Sequence, residues 1–253
     1  MCSVILLRRP GHAWPLLIGA NRDEMLARTW LPPGRHWPDR PDILAGQDQT
    51  AGGSWLGIND SGVVAAILNR QNSLGPAAGK RSRGELVLEA LDHADAADAA
   101  AALAELDPVA YRPFNLMVAD NRDAYWVAHQ GRQILAEPIP AGLSMLTSYD
   151  LNDPASPRIR FYRPLFEAAA VPEPEAGDWS GWQTLLGSRI WDRGDGRESG
   201  PGGAMCIVTD TGFGTTSSAL LALPSVESIG KEPIFLFCAG RPDLNPWMPI
   251  AAP

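Results

Sequence analysis

Met1-Cys2-Ser3-Val4-Ile5-Leu6-Leu7-Arg8 and Pro15-Leu16-Leu17-Ile18-Gly19-Ala20-Asn21-Arg22-Asp23-Glu24 open the chain, and Arg9-Pro10-Gly11 follows the first of them. Both stretches contain a short apolar run, and a proline-glycine segment between two such runs is typical of a β-hairpin. The two strands of a hairpin lie side by side and antiparallel. The pattern therefore predicts that Cys2, at the start of the first strand, lies beside the polar tetrapeptide that ends the second.

Further along, predicted hairpins alternate with a few helices. Turn residues at 59–62 and 120–123 predict hairpins over 54–68 and 114–129. Further strands are predicted over 143–147, 205–209, 217–223 and 234–238, and helices over 84–91, 94–106, 157–169 and 179–186. Four prolines predict a loop over 31–42, and a glycine-rich stretch predicts a mobile loop over 192–203. We predict one α+β domain over residues 1–253, with sheets built largely from hairpins.

The composition excludes several classes of protein. The 253 residues carry 21 Lys+Arg and 29 Asp+Glu, a net charge of −8, and 45% are hydrophobic. This balance is typical of a globular protein, and the acidic charge argues against nucleic acid and anionic membrane surfaces as partners. The apolar run Val4-Ile5-Leu6-Leu7 is too short for a membrane span, and the arginines that follow it do not fit a signal peptide. We expect a soluble cytoplasmic protein; the sequence leaves its oligomeric state open.

Cysteine and histidine spacing gives no indication of a metal site. Cys206 and Cys238 lie inside apolar strand-like runs, where a cysteine is usually a small buried hydrophobic residue. The three cysteines form no CxxC pair, and the four histidines show no HxxxH or HExxH spacing. We therefore expect neither a metal nor a cofactor.

Cys2 is different because only the initiator methionine precedes it. Removal of Met1 would leave a thiol and a free α-amine on one residue, and an α-amine has a pKa of about 7.7–8.0, which suits a general base. We predict that Arg22 stabilises the thiolate and lowers the thiol pKa, and that Asp23 holds the α-amine. The alternative is a cysteine that only begins a strand, beside a solvated charge cluster.

Several motifs resemble those of the NRDE family, also called the transport and Golgi organisation protein 2 family. The family takes its name from the tetrapeptide that stands here as Asn21-Arg22-Asp23-Glu24, and Met1-Cys2 fits it as well. Other matching stretches are Gly52-Gly53-Ser54-Trp55-Leu56-Gly57-Ile58, Arg83-Gly84-Glu85-Leu86-Val87, Phe114-Asn115-Leu116, Gly142-Leu143, Thr147-Ser148 and Gly212-Phe213-Gly214-Thr215-Thr216-Ser217. The resemblance implies an N-terminal-nucleophile hydrolase fold, which is a four-layer αββα sandwich of two stacked, mostly antiparallel sheets.

A more distant similarity runs to the bile-salt hydrolases and penicillin V acylases, in which a cysteine after Met1 attacks an amide. It implies that Asn69, after the second hairpin, donates to the oxyanion; the alternative is a residue that only ends a strand. In that group an asparagine follows a threonine after a later strand, whereas here Ser148 follows Thr147 and Asn152 lies four residues on. For the group's late arginine, Arg158 and Arg160 are the candidates.

Together these observations predict a cysteine hydrolase of a non-peptide C–N amide or a thioester. The expected catalytic residues are Cys2, Arg22, Asp23 and Asn69, and the expected substrate-binding residues are Asn21, Glu24, Trp55, Ser148 and Asn152. The alternative is a non-enzymatic carrier of haem or an acyl ligand in the same cleft, because members of the family are associated with haem trafficking and with lipid or acyl-CoA metabolism. In that case Trp30, Trp37 and Trp55 would line the pocket, and His36 or His93 would bind the iron.

Overall fold

The computed structural model describes residues 2–192 and 200–251. The first six strands are β1 (Ser3–Arg8), β2 (Leu16–Met25), β3 (Trp30–Gly34), β4 (Ile43–Asp48), β5 (Leu56–Asn59) and β6 (Val64–Asn69). Next come α1 (Glu85–Leu91), α2 (Ala96–Ala104), β7 (Phe114–Ala119), β8 (Ala124–His129), β9 (Ile134–Pro138) and β10 (Gly142–Leu146). The last elements are α3 (Pro157–Ala168), α4 (Ser180–Leu186), β11 (Phe213–Leu223), β12 (Ile234–Cys238) and β13 (Trp247–Ile250).

These strands form two antiparallel sheets. The first sheet has six strands in the order β10-β1-β2-β11-β12-β13, and the second has seven in the order β3-β4-β5-β6-β7-β8-β9. An inner apolar cluster includes residues of both sheets, such as Ile18 and Met117, and so lies between them. Helices α3 and α4 pack on the outer face of the first sheet, and α1 and α2 on that of the second. The predicted four-layer αββα sandwich is confirmed.

Side chains of β1 and β2 alternate between the two faces of the first sheet, as they do in any strand. Val4 and Ile18 belong to the inner cluster, whereas Ile5 and Leu17 pack with the outer helices. The apolar run of the second predicted strand stops at Ala20, and β2 continues through the polar tetrapeptide to Met25. The tetrapeptide at 21–24 is therefore part of the strand, and its side chains are divided between the two faces.

The loop predicted over 31–42 is wrong for its first residues. Trp30–Gly34 forms β3 despite Pro32 and Pro33. This strand lies at the edge of the second sheet and its pairing with β4 is irregular between Leu31 and Gly34. Prolines are tolerated at such an edge, because the missing N–H groups leave no partner strand unsatisfied.

The remaining predictions of secondary structure are partly confirmed and partly wrong. The structure confirms the early hairpins and the four predicted helices, each within a few residues, and the Ser156 side chain caps α3 by accepting from the N–H of Ile159. The strand predicted over 205–209 does not form, and only Val208 makes an isolated bridge there. Strands β4, β9 and β13 were not predicted. Most of the loop predicted over 192–203 lies outside the described residues, and Pro201–Gly203 is a 3-10 turn.

No described helix has both the length and the apolar character that crossing a bilayer requires.

Candidate active site

The hairpin of β1 and β2 brings Cys2 and Arg22 together. Ser3 pairs with Asn21, so the antiparallel register sets Cys2 opposite Arg22 at the adjoining strand ends. The Cys2 Sγ lies 3.8 Å from the backbone oxygen of Asp23, and the residue is half-buried. Because Cys2 packs against the inner cluster, its thiol lies between the two sheets.

Arg22 is held on three sides. Its guanidinium lies over the Trp55 ring, 4.3 Å from the centroid, which is a cation–π geometry. It donates at 3.2 Å to Thr216 Oγ1 and at 3.2 Å to Asp48 Oδ2, and only 5% of the residue is exposed. Asp48 ends β4 of the second sheet and Trp55 directly precedes β5 of that sheet, whereas Arg22 is in β2 of the first sheet. The Arg22 side chain therefore connects the two sheets beside the thiol.

A β-bulge explains the contact with Thr216. In the pairing of β2 with β11, Asp23 is opposite Thr215 and Arg22 is opposite Ser217, which leaves Thr216 as the extra residue. A bulge redirects side chains and is common next to active sites. The Thr216 hydroxyl accepts from the Arg22 side chain and donates to the Arg22 carbonyl oxygen at 3.2 Å, which fixes the arginine at both ends.

Asp48 is shared between two arginines. Besides Arg22, it accepts from Arg28 Nε at 2.6 Å, and its other oxygen accepts from the backbone N–H groups of Thr50 and Ala51. Burial raises the pKa of Asp48, but the hydrogen bonds from Arg28 and Ala51 lower it more, so the net pKa is below the ordinary value. Asp48 is therefore a carboxylate at neutral pH and partly neutralises the cation that faces Cys2.

Asp23 lies on the other face of the sheet. Its carboxylate accepts from Thr215 Oγ1 at 2.7 Å and from Arg158 Nη1 at 3.0 Å, and its side chain is fully buried. Arg158 also donates to Ser3 Oγ and to the Gly202 carbonyl oxygen. Of the two candidates for the late arginine, Arg158 thus reaches the N-terminal strand. Arg160 instead pairs with Asp192 at 3.5 Å near the surface.

A small cavity opens beside Cys2, between the two sheets. Its polar side is formed by Cys2, Arg22 and Ser217, and Trp55 stands beside them. Most of the remaining lining is apolar and includes Val4, Ala20, Leu56, Ala66, Leu68 and Ala219. Such a lining suits the apolar part of a ligand whose polar end lies at the thiol.

The expected lowering of the Cys2 pKa is not found. Burial raises the pKa of the thiol, and the Asp23 carboxylate raises it further. The charges of the N-terminus and of Arg22 lower it, but they do not compensate for burial. The sequence-based prediction considered the charge of Arg22 but not the burial of the thiol or the effect of the Asp23 carboxylate, which are the two largest causes of the raised pKa. In the resting chain Cys2 is a neutral thiol.

Iodoacetamide is therefore expected to label Cys2 rapidly only above the ordinary thiol pKa of about 8.5, in protein that retains Met1. Arg22→Gln should move the midpoint of the pH–rate profile to higher pH, because Arg22 lowers the thiol pKa. Cys206 and Cys238 should react later still, because both are buried whereas Cys2 is half-buried, and burial raises their pKa values to about 12 and about 11. Peptide mass mapping after timed labelling measures all three rates.

The matched control is Arg160→Gln, since Arg160 pairs with Asp192 away from the thiol. The N-terminal residue is established first by intact mass, because a free α-ammonium on Cys2 would lower the thiol pKa. A Cys2 midpoint below 8.5 in protein with Met1, or an equal effect of both arginine variants, would contradict the assignment.

Asn69 and Asn152, the two amide residues assigned by similarity to the acylases, do not point their side chains into the cavity. Asn69 ends β6 after Leu68, which faces the inner cluster, whereas Ile67 packs toward the helices of the second sheet. Alternation therefore directs Asn69 to the helix side, and it is outside the cavity lining. Asn152 has a left-handed φ of 58° and accepts from the Met145 N–H at 2.8 Å, so its side chain supports the turn after β10.

The remaining predicted binding residues differ in position. Asn21 is buried and donates to the carbonyl oxygens of Leu186 and Met205, both at 2.9 Å, so its amide faces the α4 side. Glu24 ends near the surface and lies 3.8 Å from Arg28. Ser148 is buried after β10, and its carbonyl oxygen accepts from the N–H of Gln71 at 3.2 Å. Trp55 is the member of the set whose ring stands at the cavity.

The histidines proposed for haem lie elsewhere. His36 Nε2 contacts the Pro32 carbonyl oxygen at 2.8 Å, and His93 follows α1; neither belongs to the cavity lining. Trp30 packs edge-on against Trp55 with centroids 5.8 Å apart, while Trp37 packs with the cluster around α1 and α2. The cavity residues therefore do not fit a histidine-ligated haem. In the part of the chain that the structure describes, no group of three or more His, Cys, Asp or Glu side chains could hold a metal ion.

Sequence reasoning missed Asp48, Thr216 and Ser217 as site residues. Asp48 ends a strand that was not predicted, and its only local signal is the turn Gln49-Thr50-Ala51-Gly52-Gly53 before Trp55. Thr216 and Ser217 enter the site through the bulge in β11, and their only signal in the sequence was the matching stretch 212–217, to which no site role was given. Arg158 was a candidate for the late arginine without a stated partner, and in the structure it forms an ion pair with Asp23.

Comparison with known sequences identifies related proteins. The family model described as Transport and Golgi organisation 2 matches residues 1–175. A human Transport and Golgi organization protein 2 homolog is 34% identical over 116 residues, which cover 43% of this chain and 40% of that protein. A mouse homolog is 40% identical over 83 residues, covering 30% of this chain and 28% of that protein. The match thus spans 40% or less of the length of these relatives.

Comparison with solved structures extends over nearly the whole chain. A Caenorhabditis elegans N-acylethanolamine-hydrolyzing acid amidase ortholog has a TM-score of 0.56 and 12% identity, covering 91% of this chain and 94% of that one. Penicillin V acylase from Agrobacterium tumefaciens has a TM-score of 0.52 and 12% identity, with 94% and 83% covered. A mutant conjugated bile acid hydrolase from Clostridium perfringens has a TM-score of 0.51 and 12% identity, with 100% and 97% covered. At this identity the likeness establishes the N-terminal-nucleophile hydrolase fold alone.

Proposed function

Because this chain belongs to the Transport and Golgi organisation 2 family and has the N-terminal-nucleophile hydrolase fold, we propose that it is a cysteine hydrolase of a non-peptide C–N amide or a thioester. One observation carries the proposal. The Cys2 thiol lies at a cavity between the sheets, opposite the buried guanidinium of Arg22, at the strand end where this fold has its nucleophile.

The first half of the reaction forms an acyl-enzyme. After Met1 is removed, the neutral α-amine of Cys2 accepts the thiol proton as Sγ attacks the substrate carbonyl carbon. The carbonyl oxygen becomes an oxyanion. When the C–N or C–S bond breaks, its electron pair goes to the leaving group, which takes the proton from the α-ammonium. The product is an acyl thioester on Cys2 and a free amine or thiol.

Water completes the turnover. The α-amine takes a proton from the attacking water, the second tetrahedral intermediate collapses, and the thioester bond breaks with its electrons returning to Sγ. The thiol regains its proton and the carboxylic acid leaves. In this mechanism the α-amine removes the thiol proton during attack, so a free α-amine on Cys2 is a requirement.

Arg22 supplies the positive charge that both half-reactions need. Its guanidinium is buried and fixed by Trp55, Thr216 and Asp48, so it stabilises negative charge at Sγ or the oxyanion without first reorganising. Asp23 is proposed to hold the α-ammonium, supported by Arg158. Asn69 stays the oxyanion donor expected from the resemblance, and it would have to turn toward the cavity to act.

The apolar lining favours a substrate whose acyl part is hydrophobic. Side chains such as Val4, Leu56 and Leu68 make a slot in which an alkyl or aryl group is removed from water while its carbonyl stays at Cys2. The same lining would serve an acyl-ligand carrier without turnover. The two functions differ in one respect, because only the hydrolase forms a covalent adduct.

Intact-mass measurement tests the proposal. Untagged protein should have lost one methionine. Brief incubation with decanoyl thioesters or decanoyl anilides, followed by acid quenching, should add one acyl group, which peptide mapping places on Cys2. Retention of Met1 in every molecule, or saturable binding of these acyl probes or of haem with no adduct on Cys2, would exclude the hydrolase and favour the carrier.

A further inference from the structure

Ser217 faces the cavity from the third strand. It pairs with Arg22 across β2 and β11, and directly opposed residues of an antiparallel pair point to the same face. Cys2, Arg22 and Ser217 therefore form a row across β1, β2 and β11 on the face between the sheets. All three are part of the cavity wall.

The Ser217 hydroxyl has no hydrogen-bond partner among the described residues. The residue is 1% exposed, so bulk water does not solvate it. A buried hydroxyl without a partner is unfavourable, and proteins keep such groups where a ligand or ordered water satisfies them. The next residue shows the contrast, because Ser218 is also buried but donates to Asn21 Oδ1 at 2.6 Å on the other face.

We propose that Ser217 is a substrate-binding residue that donates its hydroxyl hydrogen bond to an acceptor atom in the acyl part of the ligand. This inference rests on the proposed function in taking the cavity as the substrate site. It adds a polar requirement to a cavity whose lining is otherwise mostly apolar and includes Ala219 and Leu68.

The strand spacing limits where the acceptor lies. Adjacent strands are about 4.8 Å apart, so the backbones of Cys2 and Ser217 are separated by roughly two spacings, or about 10 Å. The ligand class is an acyl amide or thioester with an ether, carbonyl or hydroxyl oxygen several bonds from the scissile carbonyl.

A first test needs no ligand. Ser217→Ala removes an unpartnered buried hydroxyl and should raise the melting temperature by about 2–4 °C. Ser218→Ala, the matched control, removes a bonded hydroxyl and should lower it. If Ser217→Ala leaves the melting temperature unchanged or lowers it, the hydroxyl is satisfied within the folded protein and the proposal is wrong.

A second test measures binding in the Cys2→Ala background, where no turnover occurs, so failure of the hydrolase proposal does not affect it. The probes are octanamide and its isosteres in which an ether oxygen replaces one methylene. Adding Ser217→Ala should weaken the binding of the best ether isostere about 3–10-fold, which corresponds to the loss of one hydrogen bond. The affinity for octanamide should change less than about twofold. Equal changes for octanamide and every isostere, measured by calorimetry or NMR titration, would overturn the assignment.

Discussion

Cys2→Ala is expected to reduce hydrolysis of the reactive amide or thioester by about 10⁴-fold or more, as removal of a nucleophile does in other hydrolases. The variant loses the sulfur that attacks the carbonyl but keeps the backbone and its α-amine. The free energy of unfolding should change by less than about 1 kcal/mol, because Cys2 is half-buried at a strand end and its Sγ has one weak contact at 3.8 Å. Turnover and chemical denaturation of the same preparation give both numbers.

The control is Cys206→Ala. Cys206 is buried, with Sγ 3.3 Å from Asp243 Oδ1, and it lies outside the cavity lining. This variant should keep full turnover per folded molecule. If Cys2→Ala retains more than a few per cent of the activity, the nucleophile is another group, and the mechanism proposed here is wrong even though the fold is right.

Asp23→Ala is expected to lower the free energy of unfolding by about 3–5 kcal/mol. Asp23 and Arg158 form an ion pair at 3.0 Å with side chains 0% and 4% exposed, so the variant leaves a buried guanidinium without its carboxylate. Arg158→Ala should cost a similar amount, because it removes the cation that pairs with the buried carboxylate. The double variant should be less destabilised than the sum of the two, since removing both partners leaves no buried unpaired charge.

Arg160→Ala is the matched control, two positions along α3. Arg160 pairs with Asp192 at 3.5 Å with side chains 41% and 29% exposed, so its loss should change stability by less than about 0.5 kcal/mol. Urea denaturation followed by tryptophan fluorescence measures the whole set. Strictly additive effects of Asp23→Ala and Arg158→Ala would show that the pair is not coupled in the folded protein.

The N-terminal hairpin was predictable because its information is local. Alternation of apolar residues and a turn segment define β1 and β2, and the register then brings Cys2 beside Arg22. The same reasoning failed for β3, whose prolines are tolerated because it is an edge strand. The residues of a segment do not show whether it will lie at the edge or in the middle of a sheet.

Side-chain direction is the feature of the site that a motif match does not determine. A motif match assigns Asn69 to the oxyanion-hole position, but successive side chains of a strand point to opposite faces of the sheet. Leu68 points to the inner face, so its neighbour Asn69 points to the outer face. The partners of Arg22 and Asp23 come from other parts of the chain, since Asp48 lies across the sandwich and Arg158 is 135 residues from Asp23. Such contacts depend on how sheets and helices stack, which no local pattern specifies.

The placement of β11 has a consequence for synthesis on the ribosome. This strand pairs directly with β2, yet Thr216 follows Arg22 by 194 residues, so one side of β2 has no neighbour until the last fifth of the chain emerges. During that interval β2 lacks the strand that carries Thr215 and Thr216. Contacts of such long range also slow folding. A chain truncated before β11 would carry the whole N-terminal motif yet lack the hydroxyl groups that fix Arg22 and contact Asp23.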